Sequence, residues 1–198
     1  MKQFFLFLVF VFSVAIINAQ TKSAKRGGVG ITLSPILSDL STADGDLSSK
    51  TKFAFSGGLF FSIPVGSEVS IQPELTYAKL GGKWTDNSGR LDLDYLLIPV
   101  LATFRLEGAG FHVYAGPQYG ILLSAKDITN NGSAVDVKEY FKSGDFSLVG
   151  GAEFIPKGVG VGLRYQLGLS NIVTIQDQVF GSQKLTNNAI FVNFKIKF

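Results

Sequence analysis

Cysteine is absent from this chain. No disulfide can staple it, and no thiolate can hold a metal. Histidine occurs once, as His112, and there is no compact carboxylate cluster of useful spacing, so the pattern of a metal centre is missing too. Asp39, Asp44 and Asp46 share one polar stretch, but without the ordered spacing of a calcium loop. After residue 19 no run reaches the ~18 consecutive apolar residues of a membrane helix. Lys and Arg total 18 against 15 Asp and Glu, and they form no cluster, which excludes a nucleic-acid partner. Helix-favouring Met, Glu and Ala are sparse, whereas Gly (23) and Phe (18) are abundant. That balance points to strands.

The N-terminus is a separate matter. Met1-Lys2-Gln3 is a short positive lead, Phe4 to Ile17 is apolar, and Ala19 is a small residue before the expected cut. Residues 1–19 read as a secretory signal peptide, leaving 20–198 as one domain. No cysteine follows the apolar run, so a lipoprotein anchor is excluded. An exported domain of about 180 residues without disulfides needs a large core or a closed barrel in a membrane. Mean hydropathy is +0.28, with the apolar residues dispersed by alternation, which favours the barrel.

The last stretch shows the alternation best. Ile190, Val192, Phe194, Ile196 and Phe198 fall on one strand face, Asn193, Lys195 and Lys197 on the other. Seven more strands precede it: roughly Gly27–Ile36, Phe53–Ile63, Glu68–Ala78, Leu91–Leu106, Phe111–Leu123, Asp145–Ile155 and Val159–Ser170. The fourth is apolar on both faces from Leu96 to Ala102. Pairing Arg105 with His112 makes Gly108-Ala109 a two-residue hairpin turn. That register turns Tyr95, Leu97, Pro99, Leu101 and Thr103 inward, and Leu96, Ile98, Val100, Ala102 and Phe104 outward. Pro73, Pro99 and Pro117 fall inside strands, where bulges are expected to accommodate them.

Connections alternate strictly between long and short. Ser38–Lys52, Lys79–Arg90, Ser124–Gly144 and Asn171–Asn187 are long. Pro64–Ser67, Gly108-Ala109 and Pro156–Gly158 are short. The expected fold is all-β: an eight-stranded antiparallel transmembrane β-barrel, an up-and-down meander with short periplasmic turns and long extracellular loops. The expected location is the outer membrane.

Five stretches carry a resemblance: IQPELTYAKLG (Ile71–Gly81), DYLLIPVLATF (Asp94–Phe104), YAGPQYGILLSAK (Tyr114–Lys126), GLRYQLGLSNI (Gly162–Ile172) and the terminal NFKIKF. Together they resemble the PorT-like, or "outer membrane protein beta-barrel domain", family of small Gram-negative barrels. Leu97 departs from the family, where an acidic residue is frequent. The resemblance implies an eight-stranded barrel in the outer membrane. The founding member assists a secretion system, and most relatives carry only a domain name.

Glu74, Arg105, Glu153, Arg164 and Lys195 are the candidate inward charges. They are expected to form a lumenal ion-pair network, with Arg164 reaching Glu153 diagonally across the turn at Lys157. Inward glycines, among them Gly30, Gly120 and Gly151, leave room for a narrow cavity. Tyr77, Tyr95, Tyr119, Tyr165, Trp84 and Phe198 are candidate interfacial aromatics, with a core role as the alternative for Tyr95. Phe194, Ile196 and Phe198 resemble the terminal signal read by barrel-insertion machinery, a transient partner. His112 sits beside a short turn with no nucleophile or acid placed next to it by sequence, so no catalytic residue and no cofactor is expected. The expected role is non-enzymatic: a structural or binding barrel acting through its long loops, or an accessory to an envelope or secretion complex. The alternatives are a narrow channel for small solutes and a lipid-modifying enzyme. Outer-membrane lipid is the expected surrounding partner.

Overall fold

Alternating β-branched or aromatic residues with small or polar ones favour extended backbone. The computed structural model, which describes residues 27–42, 49–84, 88–106, 110–174 and 184–198, is built almost wholly of strands. They are β1 (Gly28–Thr42), β2 (Lys52–Pro64), β3 (Val69–Lys83), β4 (Gly89–Arg105), β5 (Phe111–Thr129), β6 (Ala134–Asp136), β7 (Gly144–Phe154), β8 (Val159–Gly168) and β9 (Leu185–Lys197). The order around the sheet is β4-β3-β2-β1-β9-β8-β7-β5, and β5 pairs back onto β4. Eight antiparallel strands therefore close into a meander barrel. The short β6 lies outside the ring, paired to the far end of β5. Residues 1–26, including the expected signal segment, and the Gly108-Ala109 tip lie outside the described residues.

Register follows the sequence pattern. Arg105 pairs with His112, and Tyr95, Leu97, Leu101 and Thr103 are buried inside while Val100 and Phe104 are exposed outside. On β8 the outward set is Val159, Val161, Leu163, Tyr165 and Leu167, all exposed, and the inward set includes buried Arg164 and Gln166. So continuous an apolar outer surface is untenable in water and requires lipid around it. Among the described residues no helix is long and apolar enough to cross a membrane.

The prolines behave differently from expectation. Register is the same on both sides of Pro73, Pro99 and Pro117. The one register shift on these strands falls between Asp94 and Tyr95, where β5 carries an extra residue at Leu123. The prolines are thus absorbed without bulges.

Strands also outrun their expected ends. Lys79–Arg90 reads as a loop, yet β3 continues to Lys83 and β4 starts at Gly89. Along the lower part of β3, Leu75 and Tyr77 face out and Glu74 and Thr76 face in. Beyond Ala78 the polarity inverts: Leu80 is buried inside and Lys79 is exposed outside. On β4, Leu91 and Leu93 are likewise inside, with Asp92 and Asp94 between them. The inversion marks where strands leave the lipid, because an outer face in water must be polar.

Candidate functional site

Every inward position in a narrow barrel meets side chains from across the ring, so the lumen is where sequence-distant residues converge. Its middle holds a four-residue ion layer. Glu74 from β3 sits 2.8 Å from Arg164 Nη2 of β8 and 3.4 Å from Lys195 Nζ of β9. Lys195 Nζ also lies 2.7 Å from Glu153 Oε2 of β7. Gln72 Nε2 donates to Glu74 Oε1 at 2.8 Å. All four ionic side chains are at most 4 % exposed. Two acids and two bases balance in charge, which burial demands.

Aromatic rings pack against this layer. Lys195 Nζ lies 5.0 Å from the Phe60 ring centroid and 5.2 Å from that of Tyr114, and Arg164 lies 5.3 Å from Tyr114. These are cation–π distances. The inward glycines make room for the rings rather than for an open channel. A Cβ at Gly30 would collide with Phe60, and one at Gly151 would lie 2.7 Å from the Tyr114 hydroxyl. Tyr114 OH accepts from Asn193 Nδ2 at 3.1 Å, and Ser34 Oγ donates to Asn193 Oδ1 at 2.7 Å.

Two of the expected placements change. Arg164 bonds Glu74 across the lumen, and its diagonal neighbour Glu153 is taken by Lys195. Gly162 does oppose Glu153 as the spacing implies, but long side chains follow the lumen's charge balance rather than the shortest strand diagonal. Arg105 stands outside the network. It lies at the turn rim, 2.9 Å from Glu68 Oε2 and partly exposed. The extra residues that hold the ion layer are Gln72, Phe60, Tyr114 and Asn193. Their inward phase was readable, but their partners were not.

Above the ion layer, toward the long connections, the lumen carries an apolar cluster on one side and a hydrogen-bonded polar set, Gln118, Asp145, Ser147, Gln166 and Asn187, on the other. Ile36, Leu40, Leu80, Leu91, Leu93, Tyr95, Leu97, Leu122, Leu185 and Phe191 form one buried cluster. The β5–β7 connection and the described residues 171–174 after β8 close over it. Phe141 bridges Val173, and Lys142 N–H donates to the Ile172 carbonyl at 2.7 Å. Phe141, Ile172 and Val173 are all buried in the cluster. Trp84, expected at an interface, packs against this lid and donates Nε1–H to Asp127 Oδ1 at 3.0 Å. Tyr95 is fully buried as well, whereas Tyr77, Tyr119 and Tyr165 are exposed on the outer face.

Below the ion layer the lumen opens into a cup of about 390 Å³ at the turn rim, lined by Phe60, Gln72, Thr103, His112, Glu153 and Lys197 among others. His112 pairs in register with Glu153, an acidic neighbour that sequence spacing alone does not supply. A catalytic relay needs the acid to orient the imidazole. Here Glu153 Oε2 is held by Lys195, and His112 Nδ1 has no hydrogen-bond partner. No group of His, Cys, Asp and Glu among the described residues is arranged to hold a metal. Phe194, Ile196 and Phe198 lie exposed on the outer face, with Phe198 N–H donating to the Val29 carbonyl at 2.8 Å. That bond finishes the β1–β9 seam.

A closed eight-stranded barrel with an apolar belt and a charge-balanced interior defines a small outer-membrane β-barrel protein. The chain belongs to the outer membrane protein beta-barrel domain family, whose pattern matches residues 18–174. Membership implies an outer-membrane location. The fold is similar to Neisserial surface protein A, with a TM-score of 0.55 and 13% identity, covering 88% of this chain and 100% of that one. It is also similar to Ail, the attachment invasion locus protein of Yersinia pestis, with a TM-score of 0.51 and 13% identity, covering 87% and 99%. At such identities the likeness shows the fold. No curated protein matches the chain by sequence.

Proposed function

We propose that this protein is a non-enzymatic, non-conducting outer-membrane barrel that works through its long-connection rim, as a binding surface or as an accessory to an envelope complex. One observation carries the reading: the lumen is filled between its two rims. The ion layer is at most 4 % exposed, and an apolar cluster with its own lid lies above it. A solute would have to part Glu74, Arg164, Lys195 and Glu153 and then cross the apolar cluster and the bonded Gln118, Gln166, Asp145 and Asn187 beside it. That weighs against the narrow channel. The held Glu153, unable to orient His112, weighs against the lipid-modifying enzyme.

In this reading the turn rim faces the periplasm and the long connections face outward, as in barrels of this kind. Phe194, Ile196 and Phe198 serve the insertion machinery, and outer-membrane lipid covers the belt. The stretches Ile71–Gly81 and Asp94–Phe104 support placing the chain in the PorT-like branch of the family. Planar-bilayer recording of the refolded barrel tests the proposal. The expected trace is flat at all potentials that the bilayer tolerates. Reproducible unitary steps that disappear with Lys195→Ala or change with Glu153→Gln would return the channel to first place.

A further inference from the structure

Where the strands rise above the apolar belt, the outer face is polar but not evenly charged. On β3 the belt ends at Tyr77, an exposed ring whose hydroxyl reaches Asp94 of β4. An aromatic with an apolar body and a polar tip fits the headgroup level of a bilayer. Above it, exposed Lys79 and Lys83 follow on β3, Arg90 on β4 and Lys126 on β5. They share the outward phase of Tyr77, so they point sideways toward the surrounding membrane rather than up into the medium.

Asp92 and Asp94, the carboxylates on this wall, already face bases. Asp92 lies 2.6 Å from Lys52 Nζ and 3.2 Å from Arg90 Nε, and Asp94 lies 3.7 Å from Lys79 Nζ. Positive charge is left over, and it is crowded. Lys50 pairs in register with Lys83, and Lys83 with Arg90. Like charges directly opposite each other on neighbouring strands are destabilising. An outer face in water needs polarity, but it does not need this. Across the ring, β1 and β9 rise above the belt with Asp39, Ser41, Thr186 and Asn188 outward, a set without a base. There Asn188 Nδ2 donates to Ser41 Oγ at 2.8 Å.

A crowded basic row beside the lipid boundary is complementary to an anion of more than one charge held at headgroup height. We infer that the outer wall of β3, β4 and β5 above Tyr77 binds a lipid whose headgroup carries two phosphates. Its acyl chains lie along the belt below, and Lys79, Lys83, Arg90 and Lys126 receive the phosphates. A soluble polyanion would meet the charges without the belt, whereas a lipid meets both. The assignment of this lipid to the outer leaflet rests on the proposed outward orientation of the rim. The site itself needs only the belt and the basic row, so it can fail while the non-conducting lumen stands, and the reverse.

The test is native mass spectrometry of the full barrel released from phosphatidylcholine nanodiscs. These are doped in turn with diphosphoryl lipid A, monophosphoryl lipid A and phosphatidylglycerol at equal mole fraction. The expected result is retention of the diphosphoryl lipid about tenfold over phosphatidylglycerol, with the monophosphoryl form between them. Lys83→Gln with Lys126→Gln cuts that preference about tenfold. Lys184→Gln, the same loss of charge at the exposed start of β9 across the ring, leaves it unchanged. A second readout follows the repulsion. Lys83→Gln alone raises the urea midpoint in pure phosphatidylcholine vesicles, and adding the diphosphoryl lipid stabilises the unaltered barrel more than this variant. Equal retention of the three lipids, or an equal loss of preference with Lys184→Gln, overturns the inference, as does equal stabilisation of barrel and variant.

Discussion

The apolar cluster and the ion layer of this lumen share β3 and β9 in the same inward phase, yet they are held by different physics. On the long-connection side, Leu80, Leu91, Leu93, Tyr95 and Phe191 pack as the interior of a soluble protein does. On the turn side β3 and β9 carry Glu74 and Lys195, and β8 adds Arg164. The apolar half gains from burial itself, roughly in proportion to area removed from water. The polar half gains little net energy from its ion pairs, but losing one partner leaves a charge stranded. The lesson is that the first half should tolerate conservative repacking, and the second should tolerate only changes that keep its charge balance.

Four experiments press on that difference, all read by urea unfolding of the barrel from lipid vesicles. The largest effect is expected from Glu74→Ala, which leaves Arg164 without its partner and Lys195 with only Glu153, at a cost of about 4 kcal/mol. Glu74→Met combined with Arg164→Met keeps the remaining charges matched and should cost far less than the single change. If the double variant is the less stable one, charge balance is not what governs this layer. Leu93→Ala in the apolar half should cost about 3 kcal/mol through the cavity it leaves, and Leu93→Met under about 1.5 kcal/mol. Val192→Arg tests the outer face that both halves share, and a charge placed against lipid there should cost about 2 kcal/mol. Trp84→Phe removes one hydrogen bond to Asp127 and should cost about 1 kcal/mol, showing how much the lid adds to the core beneath it.

Asn193→Arg is a poor tolerant control for Val192→Arg, although a simple inside-versus-outside reading recommends it. Asn193 is 2% exposed and bonded to both Ser34 and Tyr114. Facing the lumen does not mean facing water in a barrel this narrow.

Much of the fold was legible because a strand has a period of two and lipid accepts only apolar side chains. The eight strands, their facing and the Arg105–His112 register all follow from that. The ends of β3 and β5 were not legible, because the rule that reveals a membrane strand inverts once the strand enters water. Lys79 and Leu80 look like loop when judged by the lipid rule, yet they are strand with polar side out and apolar side in. The lid of Phe141, Ile172 and Val173 was hidden in two stretches that are mostly polar. Its only signal was the pairing of apolar residues within them.

The five candidate charges divided in the same way. Their inward phase follows from the strands they occupy, and four of them meet in one layer. Which acid takes which base depends on side chains from β3, β7, β8 and β9 arriving at one height in the lumen. Alternation along a chain is local, so sequence by itself determined the strands, their facing and the barrel they close. Partner choice is set by distances across the ring between residues up to 121 positions apart. Only the closed tertiary structure, with its narrow lumen and its demand for neutrality, decided the ion layer, the apolar lid and the blind cup between Lys197 and His112.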